Sequence, residues 1–138
     1  MSKLRVLVAD DHERILLAIV QLLSNDFKIV GVAGDGEQLV DSAISLNPDV
    51  IVTDIAMPLL SGPEAMKELR ARGYDIPFVL VSANPFCADE LIRQGAFAFI
   101  NKSDMAHDLV SAVHSAARGH IYVSRTACGK TANSLRSR

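Results

Sequence analysis

Cysteine, aromatic residues and long hydrophobic runs are all scarce in this chain. Its two cysteines, Cys87 and Cys128, have a spacing that matches no disulfide framework, zinc site or redox motif. Tryptophan is absent, and no apolar run is long enough to span a bilayer. The first residues lead directly into a strand pattern, without the apolar region of a signal peptide. These absences favour a cytoplasmic protein with reduced thiols and argue against a membrane protein.

An excess of charge of one sign is also missing. The net charge is −2 at pH 7, which argues against general nucleic-acid binding by the body of the domain. Apolar residues make up 49% of the chain and charged residues 22%, a balance typical of globular proteins. A length of 138 residues fits one domain with a sizeable buried core.

Short apolar segments alternate five times with amphipathic segments. The apolar segments predict strands at 4–9, 28–33, 50–54, 77–81 and 97–100. Ser61 to Glu64 is typical of a capping box, with proline early in the helix that follows the third strand. Asn84-Pro85 is predicted to open a short fourth helix, and a last helix is predicted to start near Ser103. This alternation predicts a parallel sheet with right-handed crossovers and helices on both faces.

Polar residues stand at the ends of four predicted strands. They are Asp10 and Asp11, Asp54, Ser82 and Lys102, which follow the first, third, fourth and fifth strands. Because the carboxyl ends of parallel strands meet at one edge, we expect these side chains to share a crevice. Clustered carboxylates repel unless a cation intervenes, and Mg²⁺ suits a site with few carboxylates plus waters. A lysine ammonium adds a positive charge suited to a transferring phosphoryl group.

With these residues in this order, the chain resembles the receiver domain of two-component response regulators. The resemblance runs from about residue 3 to residue 123, and its motifs are Asp10-Asp11, the D-I-A-M-P of 54–58, Gly62, Ser82-Ala83, Gly95-Ala96, Phe99 and Lys102. It implies an α/β, flavodoxin-like fold: a doubly wound, five-stranded parallel sheet in the order 2-1-3-4-5, with helices on both faces.

The resemblance also implies an acceptor residue and its metal ion. Asp54 would be the phosphoacceptor, taking a phosphoryl group from a histidine of a sensor kinase. Mg²⁺ would be bound by Asp11, Asp54 and the backbone carbonyl of Ala56, while Asp10 would act largely through water.

Three further roles follow from the same resemblance. Lys102 would pair with the phosphoryl oxygens, and Ser82 would hydrogen-bond the phosphoryl group. Phe99 would be the aromatic residue whose rotamer reports that bond. Ser82 stands where threonine is commoner in the family, which keeps the hydroxyl but loses the methyl group.

The region after Gly119 differs in composition from the rest. Residues 118–138 contain five Lys and Arg residues and no acid. We therefore expect a receiver at 3–123 and a flexible basic tail, or the start of a linker, at 124–138. The last helix and residues 119–124 resemble receivers of the NarL/FixJ type, which usually continue into a LuxR-type helix-turn-helix domain. We expect DNA contact only through such a domain, which this chain lacks. A homodimer is compatible with a receiver of the NarL/FixJ type. The alternative is a stand-alone receiver that acts through protein contacts.

Other classes fit the residues less well. An aspartate-nucleophile phosphatase of the haloacid dehalogenase type needs a second acid two residues after the nucleophile, where this chain has Ala56. A flavodoxin-like nucleotide or flavin module would bind a phosphate at the loop after the first strand, and the acids of that loop would repel the phosphate. A degenerate receiver that works only through protein contacts would not need every charged site residue. The histidines lack metal-ligand spacing and are interpreted as surface residues: His12, His107, His114 and His120.

Overall fold

The computed structural model describes residues 3–84 and 88–126. Strands and helices alternate along this part of the chain, as predicted. The elements, in chain order, are β1 (Arg5–Ala9), α1 (Glu13–Leu23), β2 (Lys28–Ala33), α2 (Gly36–Leu46), β3 (Val50–Asp54), α3 (Gly62–Ala71), β4 (Phe78–Ser82), α4 (Ala88–Arg93), β5 (Ala98–Asn101), a 3-10 turn (Lys102–Asp104), α5 (Met105–Ala117) and β6 (Tyr122–Val123). The predicted start of the fourth helix at Pro85 lies outside the described residues.

The strands form one parallel sheet that is buried on both faces. Side chains alternate along each strand, so successive residues enter opposite hydrophobic clusters. Val6 and Val8 pack beneath α1 and α5, whereas Leu7 and Ala9 face α2, α3 and α4. Every residue of β3 and β4 is buried, which explains why these strands read as continuous apolar runs.

The sheet contains one more strand than the sequence predicts. Its order is β2-β1-β3-β4-β5-β6, so the predicted order 2-1-3-4-5 is confirmed and extended at one edge. Tyr122 and Val123 form β6 and pair in parallel with Ala98 and Phe99. Two residues are too few for periodicity to identify a strand, and their pairing depends on contacts distant in the sequence.

The predicted start of α3 is confirmed in detail. The Ser61 hydroxyl accepts a hydrogen bond from Glu64 N, and the Glu64 carboxylate accepts one from Ser61 N. These reciprocal bonds satisfy backbone donors that the first helical turn leaves unpaired. The bond from Ser61 N to the Glu64 carboxylate, together with the Ser61 side chain, lowers the pKa of Glu64. The capping box thus fixes where the loop after β3 ends.

None of the helices within 3–84 and 88–126 combines the length and apolar character needed to cross a lipid bilayer. The longest, α5, has 13 residues, whereas a transmembrane helix needs about 20.

Candidate functional site

The carboxyl edge of the sheet brings together the polar residues that the sequence singled out. Asp10 follows β1, Asp54 ends β3, Ser82 ends β4 and Lys102 follows β5. In the sheet β3 lies between β1 and β4, and β4 lies between β3 and β5. The predicted crevice is therefore present, and part of it is a cavity of about 360 Å³. Its lining residues are His12, Asp54, Ile55, Ala56, Ser82, Ala83, Asn84 and Lys102.

The acids of the edge form a group able to hold a cation. Asp10, Asp11, His12 and Asp54 each offer one ligand atom, and these four atoms lie within 4.8 Å of one another. Asp10 is only 1% exposed, and its Oδ2 is buried without a hydrogen-bond partner among the described residues. An unsatisfied buried carboxylate oxygen is costly unless a cation or donor reaches it. The oxygen-rich donor set fits a hard divalent ion.

Lys102 is the cation nearest to the buried carboxylates. Its Nζ lies 3.5 Å from Asp54 Oδ2 and 3.8 Å from Asp10 Oδ2. The first distance marks a long hydrogen bond, and the second exceeds hydrogen-bonding range. Lys102 thus partly neutralises both acids without being bound tightly by either one, which leaves its ammonium able to pair with a new anion.

The charge on Asp54 is disfavoured in this setting. Burial raises the pKa of its carboxyl group above the ordinary value, and the nearby charge of Asp10 raises the pKa further. Lys102 and a hydrogen bond from the backbone N–H of Ile55 to Oδ1, at 2.8 Å, lower the pKa but do not outweigh those effects. A bound cation, or conversion of the carboxylate into another group, would relieve this cost.

The β3–α3 loop packs closely against the backbone of Asp54. Gly62 N donates to Ile55 O at 2.8 Å, which folds the loop back onto the strand end. A Cβ atom at Gly62 would lie 2.5 Å from Asp54 O and 3.2 Å from a methyl group of Thr53. Glycine is therefore needed at position 62 for this close approach of the loop to the strand. Within the same loop, Ala56 is exposed and lines the cavity beside Asp54.

Ser82 and Phe99 occupy the predicted strand positions, but the Ser82 hydroxyl is bonded away from Asp54. It accepts a hydrogen bond from Asn84 N at 2.9 Å and is 3.3 Å from Asn84 O, to which it donates. Phe99 is fully buried in β5 and packs in the cluster beneath α2, α3 and α4. The structure brings Ser82 to the crevice and leaves Phe99 in the core beneath it.

His12 is the site residue that sequence reasoning missed. Its side chain is exposed, as predicted for a surface residue, but its Nδ1 lies 3.2 Å from Asp11 Oδ1 and 3.4 Å from Asp10 Oδ1, beside the acids of the site. Spacing along the chain did not identify it because one partner, Asp54, reaches it from a different strand. Its position directly after two strand-end acids was the available signal.

A second polar network adjoins the site through residues 122–126, here named the edge segment. Thr126 N donates to Asp104 Oδ2 at 2.9 Å, and Tyr122 Oη donates to Asp108 Oδ1 at 2.9 Å. Arg125 N also donates to Asp108, at 3.3 Å. Asp104 belongs to the 3-10 turn that starts at Lys102, so the edge segment is bonded to the turn that carries the site lysine.

Both acids of that network are buried and carry charge. Burial raises the pKa of each carboxyl group, but the hydrogen bonds that each accepts outweigh burial and lower the pKa below its ordinary value. For Asp108 these bonds come from Tyr122 and Arg125, and for Asp104 they come mainly from Thr126. The ionised acids therefore hold the edge segment in place.

A parallel α/β domain with an acid and lysine cluster at this edge defines the receiver class, and comparison with known proteins agrees. Residues 6–114 match the family model described as the response regulator receiver domain. The chain belongs to this family, as the sequence motifs predicted.

Individual relatives place the chain near receivers of the NarL type. It is 33% identical over 136 residues to the nitrate/nitrite response regulator protein NarL of Escherichia coli (strain K12), covering 96% of this chain and 63% of that protein. It is 30% identical over 138 residues to the transcriptional regulatory protein LiaR of Bacillus subtilis (strain 168), covering 96% and 65%. The chain thus spans less than two thirds of each relative.

A solved structure agrees with this placement. The receiver domain of the putative response regulator NarL from Mycobacterium tuberculosis superposes with a TM-score of 0.81 at 30% identity, covering 87% of this chain and all of that one. The predicted flavodoxin-like fold and the resemblance to receivers are both confirmed.

Proposed function

We propose that Asp54 accepts a phosphoryl group from a phosphohistidine of a sensor kinase. A carboxylate oxygen of Asp54 attacks the phosphorus atom, the P–N bond breaks, and the imidazole leaves with the electron pair. The observation that carries this proposal is the position of Asp54 at a buried strand end, 3.5 Å from Lys102. Lys102 pairs with the transferred oxygens and balances the negative charge that they bring to this crowded position.

The same proposal assigns the acids around Asp54 to a divalent cation. Asp11, Asp54 and the backbone carbonyl of Ala56 hold Mg²⁺, and Asp10 acts largely through water. The buried, unpartnered Oδ2 of Asp10 supports this assignment. When bound, Mg²⁺ supplies positive charge beside the acceptor carboxylate. The Lys102 ammonium and the backbone N–H of Ile55 orient that carboxylate.

Phosphorylation is proposed to act on a surface through Ser82 and Phe99. A phosphoryl oxygen on Asp54 gives the Ser82 hydroxyl a charged acceptor in place of Asn84 O. Hydrogen bonds to charged groups contribute about 1.5–3 kcal/mol, enough to shift a two-state equilibrium roughly ten- to a hundredfold. Movement of Ser82 towards Asp54 makes room for Phe99 between β4 and β5, and the surface formed by α4, β5 and α5 changes shape.

We further propose that the receiver controls transcription in the cytoplasm through a LuxR-type DNA-binding domain. The relatedness to NarL and to the transcriptional regulatory protein LiaR supports this output. In this proposal the basic linker expected at 124–138 starts with three residues, 124–126, that are hydrogen-bonded to the receiver body. The chain itself promotes only its own phosphorylation and dephosphorylation, and a homodimer is the form that would bind a two-fold DNA site.

Phosphotransfer is tested by treating the protein with a small acyl phosphate and MgCl₂ and measuring its mass. We expect one phosphoryl group per chain, stable to acid and labile to base, and peptide mapping should place it on Asp54. Asp54→Asn should abolish labelling. Asp41→Asn is the matched control, since Asp41 lies exposed on α2, and it should label like the parent.

Two results would contradict the assignment. Undiminished labelling of Asp54→Asn would mean that another residue is the acceptor. Labelling that proceeds equally well after removal of divalent ions with a chelator would contradict the proposed role of the acids around Asp54.

A further inference from the structure

His12 sits where its imidazole faces the acidic cluster. It is the N-cap residue of α1, and its backbone N donates to Asp10 Oδ1 at 2.8 Å. This bond turns the residue back towards β1, so that Nδ1 lies 3.2 Å from Asp11 Oδ1 and 3.4 Å from Asp10 Oδ1. An N-cap side chain usually accepts a hydrogen bond from the helix that it precedes, but His12 makes no such bond.

These separations are those of ligands around one ion. Neighbouring ligands of an octahedral cation with bonds of about 2.1 Å stand roughly 3 Å apart. Nδ1 has this separation from both carboxylate oxygens, and the group that includes Asp54 fits within 4.8 Å. One atom from each of three carboxylates and one imidazole therefore already lies within the span of a single cation site.

A second observation indicates that a cation belongs there. Asp10 Oδ2 is buried and has no hydrogen-bond partner within the described ranges, 3–84 and 88–126. Lys102 Nζ, at 3.8 Å, is too distant for a hydrogen bond. The ion pair with Lys102 therefore leaves this buried oxygen without a direct bond, which a metal ion between the four groups would provide.

We propose that His12 is a further side-chain ligand of this site, beside Asp11 and Asp54, and raises its affinity for imidazole-preferring transition ions relative to Mg²⁺. Mg²⁺ prefers oxygen donors and gains little from an imidazole. Ni²⁺, Co²⁺ and Zn²⁺ bind imidazole well, and their affinities for a mixed nitrogen and oxygen site exceed those of hard ions. The inference rests on the proposed function because it requires that the acids around Asp54 bind a divalent cation.

The test is a calorimetric titration of the chain with MgCl₂ and with NiCl₂ at one neutral pH. The variants are His12→Gln, which keeps a polar side chain but removes the imidazole, and His107→Gln, in which an exposed histidine of α5 is changed as a control. We expect His12→Gln to weaken Ni²⁺ binding at least tenfold, the lower end of losses seen when even indirect metal contacts are removed. Mg²⁺ affinity should change less than about threefold, and His107→Gln should behave like the parent.

A spectroscopic readout separates coordination from an indirect effect. Paramagnetic Ni²⁺ should broaden the imidazole proton signals of His12 at ratios that leave those of His107 sharp. His12 is mostly solvent-exposed, with 67% of its side chain accessible, so its substitution should leave the thermal unfolding midpoint unchanged. An equal loss of Mg²⁺ and Ni²⁺ affinity, or no loss, would overturn the role of His12.

Asp11→Asn distinguishes this failure from that of the site itself. If the acids hold the ion, Asp11→Asn weakens the binding of both metals in the presence of an intact His12. If neither metal responds to Asp11→Asn, the acidic cation site is refuted and the role of His12 with it. If both respond to Asp11→Asn but Ni²⁺ does not respond to His12→Gln, only the role of His12 is refuted.

Discussion

Replacing Tyr122 by phenylalanine removes one hydroxyl group from the edge segment and keeps the ring. The lost hydrogen bond is the one from Tyr122 Oη to Asp108 Oδ1, at 2.9 Å. Asp108 is 3% exposed, and its remaining donors in the described chain, both from Arg125, are longer at 3.3 Å. The Arg125 side chain is 65% exposed, so solvent screens its charge. The tyrosine hydroxyl is therefore the strongest donor to this buried carboxylate.

The expected cost of the substitution follows from the charge on the acceptor. A hydrogen bond to a charged group contributes about 1.5–3 kcal/mol. We expect Tyr122→Phe to lower the free energy of unfolding by about 2 kcal/mol and, for a chain of this size, to lower the thermal midpoint by roughly 5–10 °C. The only other tyrosine in the chain gives a matched control. Tyr74→Phe should change the free energy of unfolding by less than about 0.5 kcal/mol, as expected for a substitution outside buried hydrogen-bond networks.

The loss should also depend on pH with a definite sign. The folded-state pKa of Asp108 lies below its ordinary value of 3.8, so the contribution of the ionised group is complete above that value and is lost as pH falls below it. Urea unfolding from pH 7 to pH 3 should show the difference between parent and Tyr122→Phe constant near neutrality and shrinking in acid. A difference that is equally large at both ends, or equal effects of the two tyrosine substitutions, would refute the charged hydrogen bond as the cause.

Three further outcomes are expected. Burial and a neighbouring acid raise the pKa of the Asp54 carboxyl group, so its ionised form destabilises the fold at pH 7. Asp54→Asn should therefore raise the urea midpoint by an amount equivalent to about 1 kcal/mol, the ordinary scale of single substitutions. A lower midpoint would contradict this expectation. Gly36→Ala should destabilise the domain by about 2–4 kcal/mol in calorimetry, since its Cβ would lie 2.1 Å from a backbone oxygen of the loop before α3. Gly34→Ala is its control, because the nearest atom to the added methyl group is 3.8 Å away. Ser82→Ala should still accept a phosphoryl group but lose most of the change in amide chemical shifts near Phe99; a full response would exclude the hydroxyl as the coupling group.

The sequence predicted the sheet well because burial on both faces leaves a strong local signal. β3 and β4 contain continuous apolar runs at 50–52 and 78–81, and turn residues separate these strands from the helices. The strand-end acids could be assigned to one edge because parallel strands place their carboxyl ends together. Topology alone was therefore sufficient to bring Asp10, Asp54 and Lys102 into one crevice.

What the sequence did not predict depends on contacts between distant residues. β6 is formed by two residues that pair with β5, and the acids Asp104 and Asp108 gain their partners from the edge segment, 14 to 22 residues further on. His12 lies beside its sequence neighbours Asp10 and Asp11, but the sheet alone brings Asp54, from β3, within 4.8 Å of that group. No periodicity or spacing rule reports such contacts, because each is set by how the elements pack.

The short sixth strand has a consequence for self-association. End strands of a sheet present unpaired backbone groups, and proteins limit aggregation by keeping such strands short or charged. At one end of the described sheet β6 offers two residues, too few for a strand from another molecule to add stably. At the other end, β2 presents six residues; Lys28 stands at its start, and Val32 is 52% exposed. We therefore expect any intermolecular strand addition to the folded domain at β2 rather than at β6, with Val32 providing the apolar contact.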